Sequence, residues 1–302
     1  MESTIVHDSD YGVRFDNVLA RVAKISRSQA KVLINNGSAK INGYVAKANQ
    51  KIQINDSISW IFEKSSDEEP QAEEISFDII YEDEYLLAVN KPPNLVVHPG
   101  AGNSSGTLLN GLLFYSDIFS QVERCGIVHR LDKDTSGILI VAKSNHIRDE
   151  LQRQFKSRTV LKSYLSIVNG RPKNNTHVEN NIGRHPTNRK KQMVLNEGGR
   201  KAISIIEIEE YFKYSSLVRV NILTGRTHQI RVHLAHIGHS IIGDSLYGKN
   251  KRIQILKDEI KRQMLHAYSL KIKHPITKKN LFLKAPIPED MKNVIHQQRV
   301  LN

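Results

Sequence analysis

A single cysteine, Cys125, stands in 302 residues, so the chain has no intrachain disulfide and no cysteine-built zinc cluster to hold its fold. No hydrophobic run approaches the ~18 residues of a membrane helix. The opening MESTIVHDSDYG carries neither the basic nor the apolar region of a signal peptide. These absences exclude a secreted disulfide scaffold and a helical membrane protein, and make a reducing cytoplasm the expected compartment. Acidic charge is also short: 44 Lys and Arg face 31 Asp and Glu, a net charge of +13. Such an excess points to a polyanionic partner, with nucleic acid preferred over a merely solvated lysine-rich surface.

What is present suits a globular protein of more than one domain, with 39% hydrophobic and 25% charged residues. Charge is unevenly spread. Residues 1–62 hold 8 basic and 5 acidic groups, 63–74 hold 1 and 6, and 75–302 hold 35 and 20. The acidic stretch EKSSDEEPQAEE reads as a linker, dividing the chain into domains at 1–62 and 75–302. In the first, Ser26 and Gln29 have capping-box spacing and Asn36-Gly37 a helix stop, which predicts a helix over 27–35. Asn42-Gly43 between strand-like runs predicts a tight hairpin. Lys24, Arg27 and Lys31 are spaced three and four apart, with Arg27 and Lys31 on one helix face. Helices followed by an NG hairpin, with the opening Arg14-Phe15-Asp16, resemble the S4-type (αL-like) RNA-binding domain over about residues 13–60. The plain alternative is a small basic αβ domain with a solvated helix.

In the larger part, 77–92 reads as two strands joined at Glu82-Asp83-Glu84, and Gly137 to Ala142 (GILIVA) as a buried strand. Ser144 caps a helix carrying Ile147, Leu151 and Phe155. Further strands fall in KSYLSIVNG, RKAISIIEIEE and SSLVRVNIL, then a short helix over 227–237, another strand and a C-terminal helix from Pro288. Many strands with few helices predict an α+β fold on a mixed, largely antiparallel sheet.

The densest polar cluster is HRLDKDTSG, His129 to Gly137, held between two apolar runs. Arg130 and Lys133 flank Asp132 and should keep it ionised, fit to be a nucleophile; a plain surface turn is the alternative. Asp132-Lys133-Asp134-Thr135 has the D-x-D-x-T spacing of aspartyl phosphotransferases, but His129 and Arg130 interrupt the strand that chemistry wants, and only Asp244 is at hand as a distal metal ligand. GDSLYGKN (243–250) matches a phosphate loop except for Asn250 where Ser or Thr must stand. His228, His233, His236 and His239 could suggest zinc, yet Arg226 and Arg231 among them suit an anion instead. No metal or cofactor is expected.

In order and behind an S4-like domain, HRLDKDTSG, KSYLSIVNG and TGRTHQIRVHLAH resemble the Rlu-type pseudouridine synthases over roughly residues 13–298. NLVVHPGAGN, GRHPTNRK and HPITKKNLFLKAPIPEDM resemble the subgroup that acts on large-subunit ribosomal RNA. The resemblance implies Asp132 as nucleophile on the target uridine, Tyr164 stacked on the uracil, Arg231 paired with Asp132, and Arg130 entering the RNA stack as the base leaves. It implies several target uridines in one domain IV stem-loop (helix 69) of large-subunit ribosomal RNA, modified within a ribosome precursor. Arg184, Arg189, Lys190 and Lys191 would grip phosphates from a loop, and Lys24, Arg27 and Lys31 from the S4-like domain. A monomer is expected. Transfer RNA is the alternative substrate, and a non-catalytic RNA-binding or ribosome-assembly protein the alternative class.

Overall fold

The computed structural model describes residues 2–61, 70–100, 103–248 and 260–301. Most of the acidic stretch, along with Asn250 of GDSLYGKN, lies outside the described residues. The chain forms two compact units, Met1–Glu69 and Pro70–Asn302. Among the described residues no helix is long and apolar enough to cross a membrane.

The first unit runs β1 (Glu2–Ile5), α1 (Phe15–Val22), α2 (Arg27–Asn35), β2 (Ala39–Ile41), β3 (Tyr44–Val45) and β4 (Ser57–Trp60). Its antiparallel sheet has the order β1-β4-β2-β3. The capping box forms as the spacing predicts: Gln29 N–H donates to Ser26 Oγ, and Ser26 N–H to Gln29 Oε1. Asn42 and Gly43 both take positive φ, 50° and 83°, the conformation a two-residue hairpin needs to match strand twist. Phe15, Val18, Leu19, Ala30 and Ile34 close over Ile41, Ile52, Ile58 and Trp60.

The second unit contains β5 (Asp78–Glu82), β6 (Leu86–Lys91), α3 (Leu108–Tyr115), β7 (Ser136–Ala142), α4 (Asn145–Lys156), β8 (Leu161–Asn169), β9 (Thr176–Arg184) and β10 (Gln192–Leu195). It continues through β11 (Arg200–Tyr211), β12 (Ser215–Ile222), α5 (Gln229–His236), β13 (Leu265–Lys273), β14 (Asn280–Lys284) and α6 (Glu289–Val300). The strands form one sheet, β10-β9-β11-β12-β8-β13-β7-β6-β5, with β14 on β13. All neighbours are antiparallel except β13 and β7. The fold is α+β. The run GILIVA is apolar throughout because both faces of β7 are covered: Ile138 and Ile140 pack toward Leu151 of α4, Leu139 and Val141 toward Leu108 and Leu112 of α3. Gln71 and Glu73, inside the stretch expected as linker, are bound to this unit: Asn110 donates to Gln71 O, Glu73 N–H to Asn110 O.

The parallel seam positions the site. Ala267 of β13 stands beside Gly137 of β7 on one side and Tyr164 of β8 on the other. Gly137 sits at φ 112°, and a Cβ there would lie 2.2 Å from Ala267 O, so only glycine permits this approach. The loop feeding β7 is thereby set next to Tyr164.

Candidate active site

The loop over 129–135 carries no regular structure, so its carbonyls need partners from elsewhere. Buried Lys91, at the end of β6, supplies one: its Nζ donates to the carbonyl of Lys133 (2.9 Å), and it ties this loop to the 92–95 segment through the carbonyls of Pro92 (2.7 Å) and Leu95 (2.9 Å). Burial draws its pKa down to about 7, against the pull of Asp134. Arg262 Nη1 donates to Asp134 O at 3.0 Å. His129 stacks on Phe155, ring centroids 4.7 Å apart, and accepts from Ile140 N–H at 3.0 Å through Nε2. Burial pushes its pKa to about 3, so it serves as a neutral acceptor.

From this braced loop Asp132 meets α5. Arg231 Nη1 donates to Asp132 Oδ2 at 3.0 Å, while Nε and Nη2 grip Asp244 at 2.7 and 3.0 Å. Asp244 also accepts from the N–H groups of Leu246 and Tyr247. Burial works against both charges, and the bonds outweigh it: Asp244 stays below the usual carboxylate range and Arg231 above its own. The side chains of Asp244 and Arg231 are 0% and 5% exposed, that of Asp132 21%. One carboxylate of the pair is sealed; the other faces a cleft of about 120 Å³ lined also by Tyr164, Thr135, Ile222 and Leu265.

Two more side chains complete the network. His228, at φ 56°, stands outside the helix, so α5 begins at Gln229, two residues later than the sequence pattern predicts. Its Nε2 lies 3.8 Å from Asp132 Oδ2, and its Nδ1 lies 2.9 Å from the Tyr247 hydroxyl. Gln192 N–H of β10 donates to that hydroxyl at 2.7 Å. Burial lowers the pKa of His228 despite the nearby Asp132. With the neutral ring's own proton on Nε2, facing the carboxylate, the Tyr247 hydroxyl donates to Nδ1. Tyr164 is partly buried, and burial, then the charge of Asp132, push its phenol well above its ordinary value.

Of the residues singled out from sequence, Asp132, Arg231 and Tyr164 come together, with exposed Arg130 at the cleft mouth. Arg184 ends β9; exposed Arg189 and Lys190 occupy the turn to β10, and Lys191 lies over the Tyr247 ring at 6.0 Å. Lys24, Arg27 and Lys31 belong to the first unit. Arg27 and Lys31, with Arg14, lean on the buried Asp16 at 3.1, 3.8 and 3.0 Å. The metal-site alternatives take another form here. Asp132 and Asp244 share an arginine where a cation would have to sit, and the histidines diverge: His233 bonds Ser204 and His239 the carbonyl of Asn169. Among the described residues no group of three or more His, Cys, Asp or Glu could hold a metal.

Sequence reasoning missed Asp244 as the arginine's anchor, and Tyr247, His228 and Lys91 as supports. The available signal was Arg231 itself, since a guanidinium on a mostly apolar helix needs a buried acid.

Comparison with known proteins identifies the family. The family described as RNA pseudouridylate synthase matches residues 85–236, and the S4 domain matches residues 13–58. A Vibrio parahaemolyticus protein named ribosomal large subunit pseudouridine synthase D is 40% identical over 296 residues, 95% of this chain and 91% of its own length. A Nitrosomonas europaea protein of the same name is 40% identical over 308 residues, covering 99% and 89%. The solved structure of human RNA pseudouridylate synthase domain containing 4 shares the fold, with a TM-score of 0.60, 24% identity, and coverage of 74% of this chain and 93% of that one. By matched span and shared identity, the chain belongs to the RNA pseudouridylate synthase family and carries an S4 domain ahead of its synthase domain.

Proposed function

We propose that this RNA pseudouridine synthase converts several uridines of large-subunit ribosomal RNA, clustered in one domain IV stem-loop (helix 69), with Asp132 as nucleophile. The observation that carries the chemistry is the shared arginine: Arg231 is anchored by sealed Asp244 and holds Asp132 open to the cleft. A carboxylate so held is oriented and anionic without being consumed by its partner. Its attack on the target nucleoside starts cleavage of the N1–C1′ bond. The uracil turns, C5 bonds to C1′, the carboxylate is released, a proton leaves C5 and one reaches N1. Nothing is gained or lost overall.

Tyr164 gives the flipped base an aromatic floor. Its raised pKa keeps the phenol protonated at neutral pH, which favours the platform role over that of a proton acceptor. His228, neutral and held by Tyr247, keeps its Nε2 edge beside Asp132 Oδ2 at 3.8 Å, beyond hydrogen-bond distance but facing the carboxylate. Arg130 fills the stack that the base vacates. The turn holding Arg189 and Lys190, with Arg184 and Lys191 at its ends, grips phosphates, and the S4 domain with Lys24, Arg27 and Lys31 adds a tethered second hold.

The names of the relatives support the ribosomal target. A loop also offers uridines whose flipping sacrifices little pairing. This reading places a monomeric chain in the cytoplasm. Mapping pseudouridines in all RNAs of cells lacking the chain, then complemented with wild type or Asp132→Asn, tests it. The domain IV loop should lose its pseudouridines and regain them only with wild type. Loss confined to transfer RNA would overturn the target, and no loss anywhere would overturn the activity.

A further inference from the structure

Beside the catalytic cleft lies a second, larger cavity of about 470 Å³, sharing Arg130, Tyr164, Ile222 and Arg226 with it. Its remaining wall comes from the end of α4 and the start of β8 and includes Phe155, Lys156, Arg158 and Lys162. None of the residues on this wall is used by the chemistry above. Five cations line the cavity, and none of them has a carboxylate partner among the described residues. Elsewhere on the same unit cations do find acids: Lys143 pairs with Glu82, Arg153 with Glu150, Arg219 with Glu209 and Arg299 with Glu210.

Lys162 is the focus. It is half-buried, its ammonium lies 5.8 Å from the Phe155 ring, and its pKa is lowered by burial and then by Arg226 and Arg158. Arg226 spends one N–H on the carbonyl of Lys201 and keeps the rest of its fork. Holding like charges together in a partly dry recess is unfavourable in the free protein, and an anion relieves it. A solvated lysine-rich face would spread such charges instead.

Register sets what the anion belongs to. Lys162 and Tyr164 are two apart on β8 and so share a face, about 6.7 Å along the strand. Lys162 pairs with Ile222, the last residue of β12, directly before the segment carrying Gly225 and Arg226. A nucleoside on Tyr164 therefore has its own chain running past Lys162. We propose that this cavity is a phosphodiester subsite, in which Lys162, Arg158 and Arg226 hold a backbone phosphate of the RNA strand next to the target uridine. It rests on the reading that Tyr164 carries the flipped base. Its consequence is that the nucleotide step beside the target, not only the target base, is fixed by the synthase domain.

The test uses the full chain and a hairpin RNA that wild type isomerises; failure to find such an RNA would sink the underlying reading instead. Versions of the hairpin carry one uncharged methylphosphonate at each linkage flanking the target, and affinity is measured by fluorescence anisotropy. One flanking linkage should cost wild type about tenfold, in the range of a charge-assisted contact. Lys162→Met should bind the unmodified hairpin about tenfold more weakly, lose no more at that linkage, and show a salt slope smaller by about 0.7. Lys162→Arg should restore both. Arg158→Gln, at an exposed position, repeats the cycle should Lys162→Met not fold. Equal losses in wild type and variant, or no loss in wild type at any flanking linkage, would overturn the subsite.

Discussion

In the N-terminal unit the buried member of the arginine–carboxylate cluster is the acid. Asp16 is 0% exposed, and Arg14, Arg27 and Lys31 reach it from the surface with 41%, 50% and 48% of their side chains in solvent. In the C-terminal unit the base is buried too, with Arg231 sealed on Asp244, and it is the second acid, Asp132, that is left partly open. The first arrangement presents a ring of positive charge whose centre is neutralised from within, suited to lying against phosphates. The second presents a single negative oxygen pair with a fixed direction, suited to attacking a substrate. The same two residue types do opposite work because the fold leaves opposite partners open.

Breaking the inner pair should have the largest effect on folding. Arg231→Met strands Asp244 as an uncompensated buried charge, and about 3–5 kcal/mol should be lost. For a unit of this size that corresponds to a melting temperature lower by roughly 10 °C. Adding Asp244→Leu should recover most of that stability, because an apolar pair can replace a buried ion pair. Isomerisation should not return. A double variant that recovered activity along with stability would show that the arginine is structural only.

The outer cluster should respond less and differently. Asp16→Asn leaves its cations solvated, so the expected cost is about 2 kcal/mol. It reads out as roughly thirtyfold faster amide exchange in α1 and α2 of the full chain. The bonds from Arg14, ahead of the opposing effect of burial, hold the Asp16 carboxyl below its ordinary value. Its contribution is therefore complete above about pH 4 and is lost as pH falls through the depressed native value. Wild type and Asp16→Asn should converge in acid, and a gap that widened there would reverse the assignment.

How legible these clusters were from sequence follows from where their parts lie. The capping box at Ser26, the Asn42-Gly43 hairpin, the Ser144 cap and the strand ending at Ala142 are local signals, and the structure has them all. Asp132 was visible because it sits in a polar island between apolar runs. Helix α3 was not, since LLNGLLFY is apolar on nearly every side and lacks helical periodicity. Strand β9, THVENNIGR, hides for the opposite reason, carrying polar residues on both faces while paired on both edges. Asp244 follows a tight turn at Gly243, φ 78°, where a Cβ would lie 2.0 Å from Arg262 O, and only this turn brings it to Arg231. No spacing rule encodes such a contact.

The smallest expected effect sharpens the inner cluster. Tyr247→Phe removes the proton that pins His228 Nδ1 and the acceptor for Gln192 N–H, at about 1 kcal/mol of stability. Isomerisation should slow by roughly tenfold, the scale of a lost orienting bond. His228→Gln, which still presents an N–H, should retain more activity than His228→Leu. Equal losses in those two variants would reduce His228 to packing.

The central claim is that the open carboxylate does the chemistry, and Asp132→Asn tests it at constant shape. With enzyme in excess, release of tritium from C5-labelled uridine measures a single turnover, and RNA affinity is read on the same samples. The rate should fall by at least about a thousandfold, as when a nucleophile is removed, while Kd stays within about threefold of wild type. Retention of more than a few per cent of the wild-type rate, with binding intact, would contradict the account.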